Sequence, residues 1–263
     1  MRKTLGLALG SGGSRGIAHI GFLQALEEEN IKADFVTGCS MGAIVGACYC
    51  AGVPMEQLKE RAMGLRLSQI ASLNLAPMKA NGLFRLNKAH DLLTELIGEK
   101  TFDELDIPFC CVAVDLVAGQ VVQLKEGTVV DCALASSSIP GAFTPARIGE
   151  KIFVDGGILE RVPVEPLQQM GADVIVAVDV LGDLRIKKVS LNPVSVLLRC
   201  IDIMDTNGTK RRKEHSVGAD LWLEPELGAM DQYKIKELAF AYEKGYEIGR
   251  ANCQKIKSLI EGD

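Results

Sequence analysis

Apolar residues along this chain fall into two rhythms. Leu5 to Leu9, the segment around Asp34 to Thr37, Phe109 to Leu116, Gln120 to Leu124, Asp173 to Val180 and Ala219 to Leu223 are short, nearly continuous apolar runs bounded by polar or turn residues, which predicts buried strands. A turn at Gly149 within Arg147 to Val154 adds another short strand. Between these runs the apolar positions recur every three or four residues. Ile17, Ile20, Leu23, Ala25 and Leu26 give one face to a helix from Ile17 to about Glu29, and small residues continue from Met41 as a second helix. Further helices are expected over Met55 to Gly64, from an N-capping Asn87 to near Gly98, over Val129 to Ser136, and within Val189 to Asp205 after Pro193. A long amphipathic helix is expected over Asp231 to Ile260, where Ile235, Leu238, Tyr242, Tyr246, Gly249, Cys253, Ile256 and Ile260 share a face. Alternating strands and helices predict an α/β fold, a three-layer α/β/α sandwich with a mostly parallel central sheet. Leu65 to Leu86 breaks the rhythm around Pro77 and Gly82, as a cap or lid or as ordinary surface structure.

Composition narrows this picture. A chain of 263 residues with 48% hydrophobic content buries one large core, so a single domain is expected. Its net charge of -5 gives no long-range attraction for nucleic acid. An anionic membrane would have to be met by a local patch, for which Lys210-Arg211-Arg212-Lys213 is the best candidate. Phe35 to Met55 carries no charge and is long enough to span a bilayer, yet its glycines, Thr37 and Ser40 break it up. Met1-Arg2-Lys3 leads only into a short apolar run before glycines, so no secretory signal is read and a cytoplasmic, soluble protein is expected. The eight cysteines lack metal-ligand spacing and are expected to be reduced and mostly buried, with no metal or other cofactor.

Three turns carry the candidate chemistry. Gly10-Ser11-Gly12-Gly13-Ser14-Arg15-Gly16 joins the first strand to the first helix, a place suited to phosphate cradling or to an oxyanion hole of backbone amides. The spacing of Gly10, Gly12 and Gly16 misses the dinucleotide fingerprint by one, and Asp34 precedes the second strand instead of ending it. Gly38-Cys39-Ser40-Met41-Gly42 has the Gly-x-Ser-x-Gly form of a nucleophile elbow, in which side chains at Gly38 and Gly42 would collide across the turn. In a parallel sheet the glycine turn and the elbow share the carboxyl edge. Asp155-Gly156-Gly157 closes a strand with an acid on an open turn. A serine hydroxyl needs a base. Of His19, His90 and His215, only His215 follows Asp155 in the order of an α/β-hydrolase triad, and it sits in a charged segment. The other arrangement is a two-residue site in which Asp155 itself takes the proton.

Taken together, GSGGSRG from Gly10, GCSMG from Gly38, DGG from Asp155 and ASSSIPGAFTP from Ala135 to Pro145 resemble the patatin-like phospholipase family in its small bacterial form. The resemblance covers residues 5 to 166, with 167 to 263 expected to complete the same fold. It implies a Ser-Asp acyl hydrolase: Ser40 as nucleophile, Asp155 as general base, the Gly12, Gly13 and Ser14 amides as oxyanion hole, and Arg15 shaping that loop. Gly16, Gly38, Met41, Gly42, Gly156 and Gly157 complete the motifs. The family's run of three glycines reads Ser11-Gly12-Gly13 here. The implied partner is an acyl lipid substrate, with peripheral membrane contact. Two other classes fit fewer of these residues: a lipid-binding or regulatory protein with little turnover, and a soluble Ser-His-Asp esterase or thioesterase.

Overall fold

The computed structural model describes residues 2–64, 72–73, 84–182, 190–214 and 218–262. Most of the segment read as a cap or lid, and His215 with it, lies outside these residues.

The elements follow in the order β1 (Leu5–Leu9), α1 (Ala18–Glu28), β2 (Phe35–Gly38), α2 (Met41–Cys50), α3 (Met55–Met63), β3 (Ser72–Leu73), β4 (Phe84–Arg85), α4 (Asn87–Ile97), β5 (Phe109–Asp115) and β6 (Gln120–Leu124). Then come α5 (Val129–Ser136), β7 (Ala146–Ile148), β8 (Lys151–Asp155), α6 (Glu165–Met170), β9 (Val174–Val178), α7 (Pro193–Glu214), β10 (Leu221–Leu223) and α8 (Leu238–Glu261). The strands β10-β9-β1-β2-β5 are parallel neighbours, and β8, β7 and β6 add antiparallel pairings on the β5 side. β3 and β4 form a separate pair.

Period-two alternation sorts the core between the two faces of the sheet. Leu5, Leu7 and Leu9 of β1 enter the larger cluster, against Phe22, Leu23 and Leu26 of α1 and Tyr242, Ile256 and Ile260 of α8. Ala8 points the other way, into a smaller cluster with Val162, Val164, Leu167, Ile175 and Ala177. All five residues of β1 and of β9 are buried, which is why these strands read as continuous apolar runs.

Three expected boundaries move, the first being the end of α7, which runs to Glu214 and not Asp205. Asn87 is the first helical residue of α4, with Leu86 in the capping position and no side-chain cap. The closing helix begins at Leu238, not Asp231. Residues 231 to 233 are drawn out of helical register because the Gln232 carbonyl accepts from the Ser14 amide at 2.9 Å and Asp202 accepts from the Gln232 side chain at 2.9 Å and from Tyr233 at 2.6 Å. Glu237, at φ 57°, then turns the chain into α8.

Candidate active site

Strand register assembles the three turns. Leu9 lies opposite Gly38 in the parallel β1–β2 pair, so the glycine loop and the serine turn leave the same edge. β8 reaches that edge from the opposite direction. Cys111 of β5 pairs with both Gly38 and Leu124, and Ala113 pairs with both Asp155 and Val122, so β2 and β8 share the edge of β5 that faces away from β6. Their carboxyl ends therefore meet head to head, which places Ser40 against Asp155.

Ser40 occupies φ 53°, ψ -122°, a conformation that L-residues enter only under constraint. A Cβ at Gly38 would fall 2.5 Å from the Ala43 Cα, a clash across the turn. At Gly42 the reason differs from the one expected: a Cβ there would come within 2.1 Å of the Leu9 carbonyl oxygen, so this glycine lets α2 start directly against the end of β1. The strained turn is held by a residue that the sequence offers only as the end of a helix. Ser136 Oγ accepts from the Ser40 amide at 2.9 Å and donates to the Val112 carbonyl at 2.7 Å. Ser137 and Ser138 return their hydroxyls to carbonyls four residues earlier in their own helix. Ser136→Ala strands the buried Ser40 amide, so a loss of about 1–3 kcal/mol in stability is expected from urea unfolding. Any reaction carried by Ser40 should slow on the order of tenfold to a hundredfold as its hydroxyl shifts.

Ser40 Oγ donates to Asp155 Oδ2 at 2.6 Å, while Asp155 Oδ1 accepts from the Gly157 amide at 2.8 Å. Both residues are buried, Ser40 at 4% and Asp155 at 6% exposure. Burial pushes the Asp155 carboxyl up to about 6, against the opposing pull of the hydrogen bonds from Ser40 and Gly157. A carboxylate so placed is still ionised at neutral pH and basic enough to take a hydroxyl proton at short range. Gly156 packs on the Val112 carbonyl and Gly157 on Ser11 and Asp155, where in each case a Cβ would intrude.

The glycine loop differs from expectation in one amide. Among the described residues the Gly12 and Gly13 amides meet no acceptor, but the Ser14 amide is committed to the Gln232 carbonyl. Ser14 Oγ donates to carbonyls of the same segment, so this residue anchors the loop instead of pointing into the site. Arg15 is buried and reaches away from the loop, its Nε donating to the Val180 carbonyl at 2.8 Å and one terminal nitrogen facing the Gly228 and Met230 carbonyls. It fastens the loop to these flanking segments. Gly16 leaves room for Met41, whose Cγ would lie 2.4 Å from a Cβ there, so the glycine loop and the serine turn pack directly on each other.

The histidines within the described residues stand elsewhere. His19 is fully buried behind the loop, its Nε2 bonded to the Gly10 carbonyl at 2.8 Å, and burial lowers its pKa to about 4. His90 lies near Asp131 at the surface. Seven of the eight cysteines are buried and Cys200 is exposed. Among the described residues no group of three or more His, Cys, Asp or Glu is placed to hold a metal ion.

Ser40, Asp155, Ser11 and Gly13 line a small cleft of about 40 Å³ together with Ile139, Ile201, Asp202, Asp205 and Tyr233. Arg161, with no motif around it, is the buried cation beside this wall, bonded to Asp179 at 2.7 Å and Asp205 at 3.0 Å. A serine hydroxyl on a carboxylate, beside two open amides and a small cleft, suits attack on a carbonyl carbon.

A family model described as Patatin-like phospholipase matches residues 7–167. An uncharacterized NTE family protein of Mycobacterium tuberculosis is 37% identical over 176 residues, covering 67% of this chain and 49% of its own. Human patatin-like phospholipase domain-containing protein 6 is 29% identical over 184 residues, 68% of this chain and 13% of its own. Lysophospholipase nte1 of Aspergillus fumigatus is 25% identical over 286 residues, 97% of this chain and 18% of its own. The chain thus spans about half the length, or less, of these curated relatives. Among solved structures, VipD of Legionella pneumophila superposes with a TM-score of 0.53 at 14% identity, covering 97% of this chain and 67% of that one. ExoU of Pseudomonas aeruginosa gives 0.52 at 12% identity, covering 98% and 53%, and both likenesses speak for the fold alone.

Proposed function

The chain belongs to the patatin-like phospholipase family, and from that premise we propose that it is a serine acyl hydrolase of the lipase or phospholipase A type, cleaving ester bonds of phospholipids, lysophospholipids or related acyl lipids. The observation that carries this reading is the 2.6 Å hydrogen bond from Ser40 Oγ to a buried Asp155. Asp155 Oδ2 takes the Ser40 proton as Oγ attacks the ester carbonyl, and the Gly12 and Gly13 amides receive the oxyanion. The tetrahedral intermediate collapses, Asp155 returns the proton to the departing alcohol, and an acyl-Ser40 ester remains. Asp155 then deprotonates a water that attacks this ester, and the fatty acid leaves as Ser40 regains its proton. Only groups of the chain and water enter these steps. The name of the Aspergillus relative makes lysophospholipids the first substrates to try.

Asp155 must be unprotonated to act, so its pKa of about 6 sets the acid limb of the rate. We expect kcat/KM to be level above pH 7 and to fall about tenfold per pH unit below 6. A carboxylate at the ordinary value of about 3.9 would hold the rate level down to about pH 5, and that result would remove Asp155 as a dry base.

Reaction with a fluorophosphonate followed by peptide mapping tests the reading directly. An adduct on Ser40 that survives His215→Ala and is lost in Asp155→Asn is expected. No adduct on Ser40 in the folded wild type overturns the hydrolase assignment.

A further inference from the structure

Helix α7 has one buried side and one bare side. Asp202, Asp205 and Thr209 face inward, and Ile201, Asp202 and Asp205 line the cleft that holds Ser40. Outward, Val196, Leu197, Ile203 and Met204 are 39%, 47%, 45% and 71% exposed, with exposed Cys200 between them. These positions follow at helical spacing and form one apolar stripe. Leu191, 83% exposed, extends it toward the preceding loop. The stripe begins at the mouth of the site: Leu197 leans over Gly141, beside the Ile139 and Pro140 that rim the cleft.

The charge on this helix reverses that of the chain. α7 carries Arg199, Lys210, Arg211, Arg212 and Lys213, whereas its acids Asp202 and Asp205 are buried; the exposed Glu214 pairs with Lys210, and Lys213 pairs with Glu224 outside the helix. The whole chain carries -5. An apolar stripe running into a basic end complements an anionic lipid surface, where the stripe enters the acyl boundary and the cations meet phosphates. No helix among the described residues is long and apolar enough to cross a membrane, so α7 would lie in the interface plane.

We propose that the outer face of α7 docks on an anionic lipid bilayer and sets the mouth of the Ser40 cleft against it. The proposal deepens the acyl-lipid hydrolase reading, since it names the surface from which substrate enters. Asp202 links the docking face to the glycine loop: it holds the Gln232 and Tyr233 side chains, and the Gln232 carbonyl holds Ser14. A docked α7 therefore keeps its register with the loop.

Cys200 is the single exposed thiol, so a polarity-sensitive fluorophore attached there reports on this face. The labelled protein is titrated with vesicles of phosphatidylcholine alone and of phosphatidylcholine with phosphatidylglycerol, at low and high salt. A blue shift, at least tenfold tighter binding to the anionic vesicles and weakening by salt are expected. Ile203→Asp/Met204→Asp should lose tenfold or more of the vesicle affinity, read by co-sedimentation, while hydrolysis of a water-soluble short-chain ester stays within twofold of wild type. Equal affinity for neutral and anionic vesicles, no shift with either, or undiminished sedimentation of the double variant overturns the proposal. So does light scattering that shows a dimer dispersed by the double variant, because the stripe would then cover a second copy of the chain. Vesicle binding is read without turnover. Docking with an unreactive Ser40 would sink the hydrolase reading alone, and a reactive Ser40 without docking would sink this one alone.

Discussion

Replacing Asp155 by asparagine is expected to lower kcat for ester hydrolysis on the order of 10⁴-fold while leaving the fold intact. The amide oxygen of the new side chain can still accept from Gly157, as Oδ1 does now at 2.8 Å. That choice turns the NH2 group toward Ser40, where the carboxylate accepts at 2.6 Å, so the hydroxyl meets a donor in place of a base. Both halves of the proposed reaction lose their proton acceptor. Stability should move the other way. Burial raises the Asp155 carboxyl from 3.8 to about 6 in the folded chain. The folded state thus binds more protons than the unfolded one between these values, and an ionised Asp155 costs roughly 3 kcal/mol at pH 7, a penalty relieved as pH falls through 6. Asp155→Asn removes that charge, so its urea midpoint at pH 7 should equal or exceed that of wild type. Activity within tenfold of wild type would place the base elsewhere.

The largest loss of stability is expected at Arg161. This guanidinium is 2% exposed and bridges Asp179, just past β9, to Asp205 on α7, with the Thr206 hydroxyl and the Gly182 carbonyl as further acceptors. Burial alone would lower its pKa, but the two carboxylates outweigh that and hold it above the ordinary value. Arg161→Met keeps the length and leaves two buried carboxylates without the cation that bonds them, a loss of about 3–5 kcal/mol. Arg161→Lys should fall between, because one ammonium cannot span both acids in the forked geometry of arginine. Urea unfolding of both variants checks the ranking. A methionine variant within about 1 kcal/mol of wild type would show that Arg161 does not hold α7 over the cleft.

The alternation of strands and helices was plain in the sequence because the inner strands are buried on both faces and read as unbroken apolar runs. Val129–Ser136 forms the helix expected of it, and the other boundaries agree closely except at Asn87, at the end of α7 and at the start of α8. The three glycine-bearing turns are local signals, and the structure brings them to one edge. What escaped depends on partners far along the chain. Ser136 looks like no more than the end of a helix until its neighbours are known, and these are Val112, 24 residues away, and Ser40, 96 away. Residues 231 to 237 carry Ile235 in phase with the helix that follows, and only the bonds to Ser14 and Asp202 pull the segment out of it. In the sequence the Ser14 amide reads as a free donor for the same reason: its acceptor lies 218 residues on. Arg161 gave no local sign, since a lone arginine beside a glutamate reads as surface until Asp179 and Asp205 close around it.

These long separations also order events during translation. A growing chain exposes the serine turn 115 residues before Asp155 has been made, and the glycine loop waits for residue 232 to hold Ser14 in place. Domains acquire structure as they emerge, amino-terminal parts first. On the proposed reading a nascent chain therefore carries Ser40 without its base until Asp155 has been made. Reactivity toward fluorophosphonate should appear as a step in a series of stalled nascent chains, once the segment around residue 232 has cleared the exit tunnel.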